Sequence, residues 1–282
     1  MSLRQFRTFA FALGVSMTFL APFAHAQLAV DPEYTAQMTR LTIGANGYGG
    51  PLTLSRQPIT VTPAPVAYEG TSTTFSSTFS SAVKLAGSVK QDGANLVHEQ
   101  SLTDARVSPT LAAVTVRIVA NAQGQESKHD LTYPAYERAP ADGQTAAMKT
   151  MFGRMADGLI ADSTRPHTAT GGEPWQTQAD ITKTMLAALP PGLTVTKNTV
   201  VEKLEGTTRV EGRRAVLLTT DGTMELTATG ATLTMVLKGY RLVDTETGLE
   251  LESLQGLTST NIVGGRPQPP SSTVTYTVRT IR

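Results

Sequence analysis

The sequence contains no cysteine and only one tryptophan among 282 residues, and 6% of its residues are aromatic. The lack of cysteine excludes disulfides, thiol nucleophiles, zinc–thiolate sites and iron–sulfur clusters. The single tryptophan argues against a carbohydrate site in which several rings stack on sugars. Neither sign of charge dominates, since the sequence has 24 Lys and Arg and 23 Asp and Glu. This balance argues against nucleic acid or an anionic membrane surface as a partner, because both select clustered basic residues.

The N-terminal stretch has the order of a cleaved export signal. Two arginines precede an apolar run over residues 9–20, and a small-x-small pattern ends at Ala26. A membrane-spanning helix needs about 20 apolar residues, and this run is shorter. We therefore expect residues 1–26 to be removed. The remaining chain, residues 27–282, is expected to be a single β-rich domain, periplasmic or secreted, without a transmembrane segment.

Two blocks with the pattern of β-strands flank a helical stretch. In the first block, residues 27–139, apolar residues recur at mostly even spacing among Ser and Thr, which predicts five or six strands. The second block, residues 193–282, is rich in threonine, and Asp221-Gly222 is predicted to form a two-residue turn. The predicted fold is therefore mainly β: a curved antiparallel sheet, as a half-barrel or sandwich, with a two-helix insertion over residues 140–192.

The helical insertion carries the candidate ligand-binding residues. Apolar residues at steps of three and four predict a helix over residues 143–161 with one apolar face. Methionine is flexible and polarisable, so this face could line an adaptable pocket, and the same spacing also serves a helix that covers a sheet. A second helix is predicted over residues 180–189. The candidate residues are Met148, Met151, Phe152, Met155 and Leu159 of the first helix, together with Trp175 before the second.

A β-hairpin over residues 238–257 is the element that the sequence pattern predicts most clearly. Asp244 is expected to cap its turn through the carboxylate, and Gly248 to adopt a positive φ. Alternation along the two strands predicts an inward and a solvated face. The inward set is Tyr240, Leu242, Leu249 and Leu251, whereas the solvated set contains Arg241 and Val243 opposite Glu250 and Glu252.

The sequence offers no motif for catalysis, a metal or a cofactor. The histidines His98, His129 and His167 lie in three different regions, and His98 is expected on a solvated or strand face because a second zinc ligand is missing. A metal site or triad built from all three stays open. Serine-hydrolase motifs are absent, and the residues around Gly248 miss the spacing of a calcium loop. We therefore expect a protein that is not an enzyme and that uses no cofactor.

The order of strands, two helices and strands in an exported chain resembles the periplasmic lipoprotein carriers of the LolA and LppX type. The hairpin over residues 239–252, with its Asp-x-x-x-Gly turn and returning Leu-x-Leu, is similar to hairpins of that class and of related secreted β proteins. The resemblance runs from about Leu52 to the end and transfers no functional residue. It implies a half-barrel with helices lying across its open side as a lid. We therefore expect an apolar or amphiphilic ligand, such as a lipid or lipoprotein, beneath the helices. The alternative is a non-enzymatic structural or assembly module of the cell envelope that acts through protein contacts.

Overall fold

The computed structural model describes residues 32–42, 47–77, 79–104, 111–160, 165–188 and 193–282, without the side chains of residues 184–188. The predicted export signal lies outside these ranges. The described helices are α1 (Pro32–Thr42), α2 (Gly143–Ile160) and α3 (Gln178–Ala188), with a short 3₁₀ helix at Pro134–Tyr136. The strands up to α2 are β1 (Ile59–Val61), β2 (Val66–Ser76), β3 (Ser80–Asp92), β4 (Asn95–Asp104), β5 (Val114–Asn121) and β6 (Glu126–Thr132). Those that follow are β7 (His167–Ala169), β8 (Pro174–Gln176), β9 (Thr194–Asn198), β10 (Val201–Val210), β11 (Arg213–Ala228), β12 (Ala231–Asp244), β13 (Glu250–Val263), β14 (Arg266–Pro267) and β15 (Ser271–Ile281).

Thirteen of the described strands form one curved antiparallel sheet. Its order is β6-β5-β4-β3-β2-β15-β13-β12-β11-β10-β8, with β14 paired to β13 and β9 to β11. The short strands β1 and β7 form a separate pair. The two blocks of strands meet where β15 inserts between β13 and β2. The predicted fold class is confirmed: the protein is mainly β, with a curved antiparallel sheet and helices inserted between two strand blocks.

Local periodicity accounts for the elements that were predicted well. β5 alternates strictly between buried and half-buried residues, which is what one covered face of a sheet requires. The helix predicted over residues 143–161 is α2, and the one predicted over residues 180–189 is α3, which begins two residues earlier. β7 was missed because its three residues, His-Thr-Ala, show no alternation.

Helix α1 was also not predicted, although its ends carry helix signals. Pro32 begins the helix, Glu33 lies in the first turn and Arg40 in the last. Proline is favoured at the first helical position, and acidic and basic residues suit the positive and negative ends of the helix dipole. α1 packs through Leu41 onto a cluster of β11, β12, β13 and β15 residues. We call this the outer face of the sheet.

The opposite, inner face is covered by α2, by α3 and by the β1–β7 pair. α2 lies over β4 and β5, and α3 lies against β9. Their apolar residues belong to three further clusters with side chains of the sheet. Near the hairpin turn, β11 and β12 are therefore buried on both faces.

The predicted turn at Asp221-Gly222 is wrong, because both residues lie inside the continuous strand β11. The turn comes later, at Gly230, whose φ is +76°. Gly222 is needed for a close approach instead, since a Cβ built on it would lie 2.4 Å from Cα of Val200. A glycine inside a strand often marks such a contact.

The turn predicted for the hairpin is confirmed. Gly248 has a φ of +69°, and the Asp244 carboxylate accepts hydrogen bonds from the backbone N–H and the hydroxyl of Thr247. The inward set is also buried, and all four members belong to the outer-face cluster: Tyr240, Leu242, Leu249 and Leu251.

The solvated face predicted for the hairpin is wrong. Arg241 and Val243 are both buried, because the inner face is covered as well. A register shift between Leu242 and Val243 places Glu252 opposite Leu242 and Glu250 opposite Val243. The two glutamates therefore point to different faces. Glu250 approaches Arg241 at 3.7 Å, as predicted, but within the interior.

Candidate functional site

Helix α2 covers an apolar part of the inner face. Phe152, Ala156 and Ile160 are buried and recur every four residues, so they form one stripe along the helix. The stripe packs on six apolar side chains of the sheet, which we call the α2 layer: Val83, Leu85, Leu102, Val114, Val116 and Ile118.

The other predicted site residues of α2 flank this stripe. Met148, Met151, Met155 and Leu159 are half-buried and pack against the same cluster. The structure therefore brings all five predicted helix residues together, around the buried ring of Phe152. In this closed arrangement the ring is part of a filled core.

Trp175 lies in a different cluster. It is placed by the short edge strand β8 and packs with Ile59, Val61 and Leu204. Its indole stacks on the His167 imidazole, with ring centroids 4.3 Å apart and an interplanar angle of 29°. Trp175 thus does not join the methionines of α2.

Trp175 and Leu159 nevertheless line the same small cavity, which we call the central cavity. It measures about 30 Å³ and lies on the inner face between the end of α2 and the hairpin turn. A water molecule needs roughly 10–15 Å³ of such space, so about two waters fit. Its polar lining consists of Tyr68, His98, Arg165, His167, Arg241, Glu250 and Arg279.

Buried ion pairs run across the strands beside this cavity. Arg241 donates from Nε and Nη2 to the two carboxylate oxygens of Glu202, at 2.8 and 2.5 Å. Arg279 donates from Nη1 to Oε1 of Glu250 at 2.7 Å. The approach of Arg241 to Glu250 links the two pairs into one network. Buried charges are tolerated only when they are paired and hydrogen-bonded, as these are.

Arg279 also connects this network to helix α2. Its Nη2 donates to the backbone carbonyl of Leu159 at 2.8 Å. The last carbonyls of a helix have no partner within the helix and lie at the negative end of its dipole, so a guanidinium satisfies both needs. Gly70 allows the close approach of the neighbouring strand, because a Cβ there would lie 2.1 Å from the Val278 carbonyl oxygen and 3.1 Å from Cγ of Arg279.

A neutral hydrogen-bonded group of β2 and β4 side chains lies on the other side of Arg279. The Tyr68 hydroxyl donates to Oε1 of Gln100 at 2.7 Å and lies 2.9 Å from Nε2 of His98. Since the hydroxyl proton is used toward Gln100, Nε2 of His98 donates to the tyrosine oxygen. Tyr68 reaches across β3 because residue 87 is glycine, where a Cβ would lie 2.5 Å from the hydroxyl oxygen.

His98 lies on a strand face, as predicted, but it is buried rather than solvated, with 1% of its surface exposed. Burial, and then the positive charge of Arg279, lower the pKa of His98 to about 3. Its imidazole is therefore neutral at physiological pH. Burial also raises the pKa of Tyr68 above its ordinary value.

The three histidines do not converge. His98 and His167 line the central cavity, whereas His129 lies on β6 and binds Asp157 of α2, with 2.8 Å between Nε2 and Oδ1. Burial raises the pKa of Asp157 against the opposing effect of His129. Within the described ranges, no three His, Asp or Glu side chains are arranged to hold a metal ion.

Of the buried network, sequence reasoning predicted only the approach of Arg241 to Glu250, and it placed that contact on a solvated face. Glu202, Arg241 and Arg279 come from strands far apart in the chain, and each stands at an alternating position that also suits a solvated face. The glycines opposite Tyr68 and Arg279 were the available signal, because glycine inside a strand indicates close approach.

No helix in the described part of the chain combines the length and apolarity of a membrane span.

No protein-family model and no curated protein matches the sequence. Among solved structures, a DUF1329 family protein from Desulfovibrio piger matches 89% of this chain and 91% of its own, with 10% identity and a TM-score of 0.23. A structure of MucB in complex with MucA(peri) matches 88% and 94%, with 11% identity and a TM-score of 0.11. The MucA/MucB complex of Pseudomonas aeruginosa matches 89% and 94%, also with 11% identity and a TM-score of 0.11. At such identities and TM-scores, function has to be argued from the residues of this chain.

Proposed function

We propose that the protein is an exported, periplasmic binder of amphiphiles, whose helix α2 moves off the sheet so that the apolar chain of the ligand takes its place on the α2 layer. The observation that carries this proposal is the α2 layer itself. Its six aliphatic side chains form a continuous apolar surface on β3, β4 and β5, and a single amphipathic helix lies over them. An acyl chain presents the same chemistry to that surface as the stripe on α2 does.

Polar contacts hold α2 in place mainly in its C-terminal half. Arg279 binds the carbonyl of Leu159, and His129 binds Asp157. In the N-terminal half of α2, the ammonium group of Lys149 lies 5.8 Å from the centroid of the Tyr133 ring, which precedes the helix. Such surface contacts are weak. Packing on the α2 layer therefore dominates the stability of the closed helix.

The free energy of uncovering the α2 layer sets a minimum length for the ligand. Burial stabilises a large apolar side chain by about 1.5–3 kcal/mol, so Phe152, Ile160 and the four half-buried residues together contribute roughly 10 kcal/mol. Each buried methylene of a ligand contributes about 0.8 kcal/mol. A chain of about 12 or more carbons therefore offsets the loss, whereas a chain of about six does not.

Hydrogen exchange with two fatty acids tests the proposal. Hexadecanoate should bind and accelerate exchange of the α2 amides, whereas hexanoate at the same concentration should leave them unchanged. Native mass spectrometry of the purified protein should show a co-purified long-chain amphiphile. No binding of hexadecanoate, or binding without any change in α2, would overturn the proposal.

A pair of variants sharpens this test. Asp157→Ala removes the contact with His129 and favours the open helix, so the apparent affinity for hexadecanoate should rise about threefold to tenfold. Glu137→Ala, an exposed residue outside α2, should leave the affinity unchanged and serves as the matched control. Equal affinities for both variants would mean that α2 does not have to move.

The alternative, a module that adds a partner strand at a sheet edge, has less support. The exposed edge strand β6 has the sequence Glu-Ser-Lys-His-Asp-Leu-Thr, and its charges discourage pairing with another strand. If crosslinking in the cell captured a specific envelope protein while no long-chain amphiphile bound, this alternative would replace the proposal.

A further inference from the structure

The lining of the central cavity is rich in positive charge. Three guanidinium groups, those of Arg165, Arg241 and Arg279, contribute to it, and Glu250 is its carboxylate. Anions are the ligands that arginines select, because the guanidinium donates parallel hydrogen bonds that match a carboxylate or phosphate.

Two of these arginines are already balanced inside the protein. Arg241 forms a bidentate pair with Glu202, and Arg279 pairs with Glu250. The charges of the buried network thus cancel, and the cavity retains the charge of Arg165.

Arg165 differs from the other two because it is exposed, and it has no hydrogen-bond or ion-pair partner among the described residues. The positive charge of Arg165 contributes to lowering the pKa of Asp180 of α3. That carboxylate is itself exposed, however, and accepts hydrogen bonds from the backbone N–H and the hydroxyl of Thr177. Solvent screens the attraction between two exposed groups. A guanidinium is therefore available where the cavity meets the surface.

The position of the cavity relates this charge to the proposed ligand. Gly158 and Leu159, at the end of α2, form part of the cavity wall. An amphiphile whose chain lies on the α2 layer would therefore place its polar end beside Arg165. The volume of about 30 Å³ suits two oxygen atoms in place of two waters.

We propose that the central cavity binds the anionic head group of the ligand, a carboxylate or a monoalkyl phosphate, with Arg165 as its direct partner. This inference rests on the proposed function, since it assumes that an amphiphile binds under α2. It adds that the protein selects anionic amphiphiles over neutral and cationic ones.

Four ligands of equal chain length test the selection: tetradecanoate, tetradecyl phosphate, tetradecanol and tetradecyltrimethylammonium, each below its micellar concentration. A charge-assisted hydrogen bond corresponds to a factor of about ten or more in affinity. We therefore expect at least one anion to bind about tenfold more tightly than the alcohol, and the cation to bind more weakly than both. Whichever anion binds more tightly identifies the head group.

The variant Arg165→Gln should weaken the binding of the anions more than that of tetradecanol and so reduce this preference. Arg138→Gln, which removes the same charge from an exposed site outside the cavity, should retain the preference. Equal binding of alcohol and anions by the wild type, or an unaltered preference in Arg165→Gln, would overturn the head-group site while the proposed function stands. If none of the four ligands binds, the proposed function fails and the head-group site fails with it.

Discussion

Acid should destabilise this protein through His98. The imidazole is buried on β4 beside Arg279, and its pKa falls from an ordinary 6.5 to about 3 in the folded state. Between these two values the unfolded chain binds a proton that the folded protein does not bind. The group therefore stabilises the folded state fully above the unfolded pKa, and this contribution is lost as the pH falls.

The size of the effect follows from the same two values. Each pH unit in the window between 6.5 and about 3 changes the free energy of unfolding by about 1.4 kcal/mol per proton. The loss from about pH 7 to about pH 5 is therefore about 2 kcal/mol. That is a large part of the stability of a typical domain, about 5–15 kcal/mol.

Urea unfolding of the wild type and of His98→Gln at these two pH values measures this contribution. Glutamine can still donate to the Tyr68 oxygen but does not titrate, so the variant should be less sensitive to acid by about 2 kcal/mol. Carboxylates whose pKa is shifted, such as Asp142 and Asp180, are common to both proteins and cancel in the difference. Equal sensitivity of the two proteins to acid would refute the assignment of a buried, neutral imidazole.

Two further predictions concern the buried network and the glycines. Arg241→Met should cost about 3–5 kcal/mol of stability because it removes the guanidinium that neutralises the buried Glu202 carboxylate, whereas adding Glu202→Leu should recover most of the loss, as chemical unfolding will show; equal costs for the single and double variants would contradict this. Gly87→Ala should lower the melting temperature, since its Cβ would lie 2.5 Å from the Tyr68 hydroxyl oxygen. Gly158→Ala, where nothing lies within 4 Å, should raise stability by up to about 1 kcal/mol, and destabilisation by both would show that the space around Gly87 is not the cause.

The fold was predictable where one local period dominates. β5 alternates with period two, and α2 repeats its apolar residues at three and four, so each element is encoded within its own residues. The class of fold follows from the order of such segments. Helix α1 was missed because its composition is mixed, and only Pro32, Glu33 and Arg40 mark its ends.

The faces of the hairpin were only partly predictable, because burial depends on elements elsewhere in the chain. Alternation correctly separates Tyr240 and Leu242 from Arg241. It does not indicate that both faces are covered, one by α1 and the other by the inner-face elements. The register shift after Leu242 then places the two glutamates on different faces. These are tertiary effects that a period of two does not contain.

In the candidate site, too, local periodicity predicted some features and tertiary contacts decided the others. The apolar face of α2 was predicted residue by residue, and its five members do surround one cluster. Trp175 was assigned to the same site from its place between the helices, yet β8 holds it in a separate cluster. Its use as a ligand contact stays a prediction, as does that of the α2 residues.

The buried network and the apolar layer are parts of one arrangement, because Arg279 belongs to both. Its guanidinium binds Glu250 on one side and the carbonyl of Leu159 on the other. Movement of α2 would take away that carbonyl and leave a buried donor unsatisfied, which costs about 1–3 kcal/mol. An anionic head group in the adjoining cavity supplies an acceptor at the moment when the helix withdraws its own. The hydroxyl of a neutral amphiphile would accept a weaker hydrogen bond than an anionic oxygen does, so selection for an anion and movement of α2 are expected to be coupled.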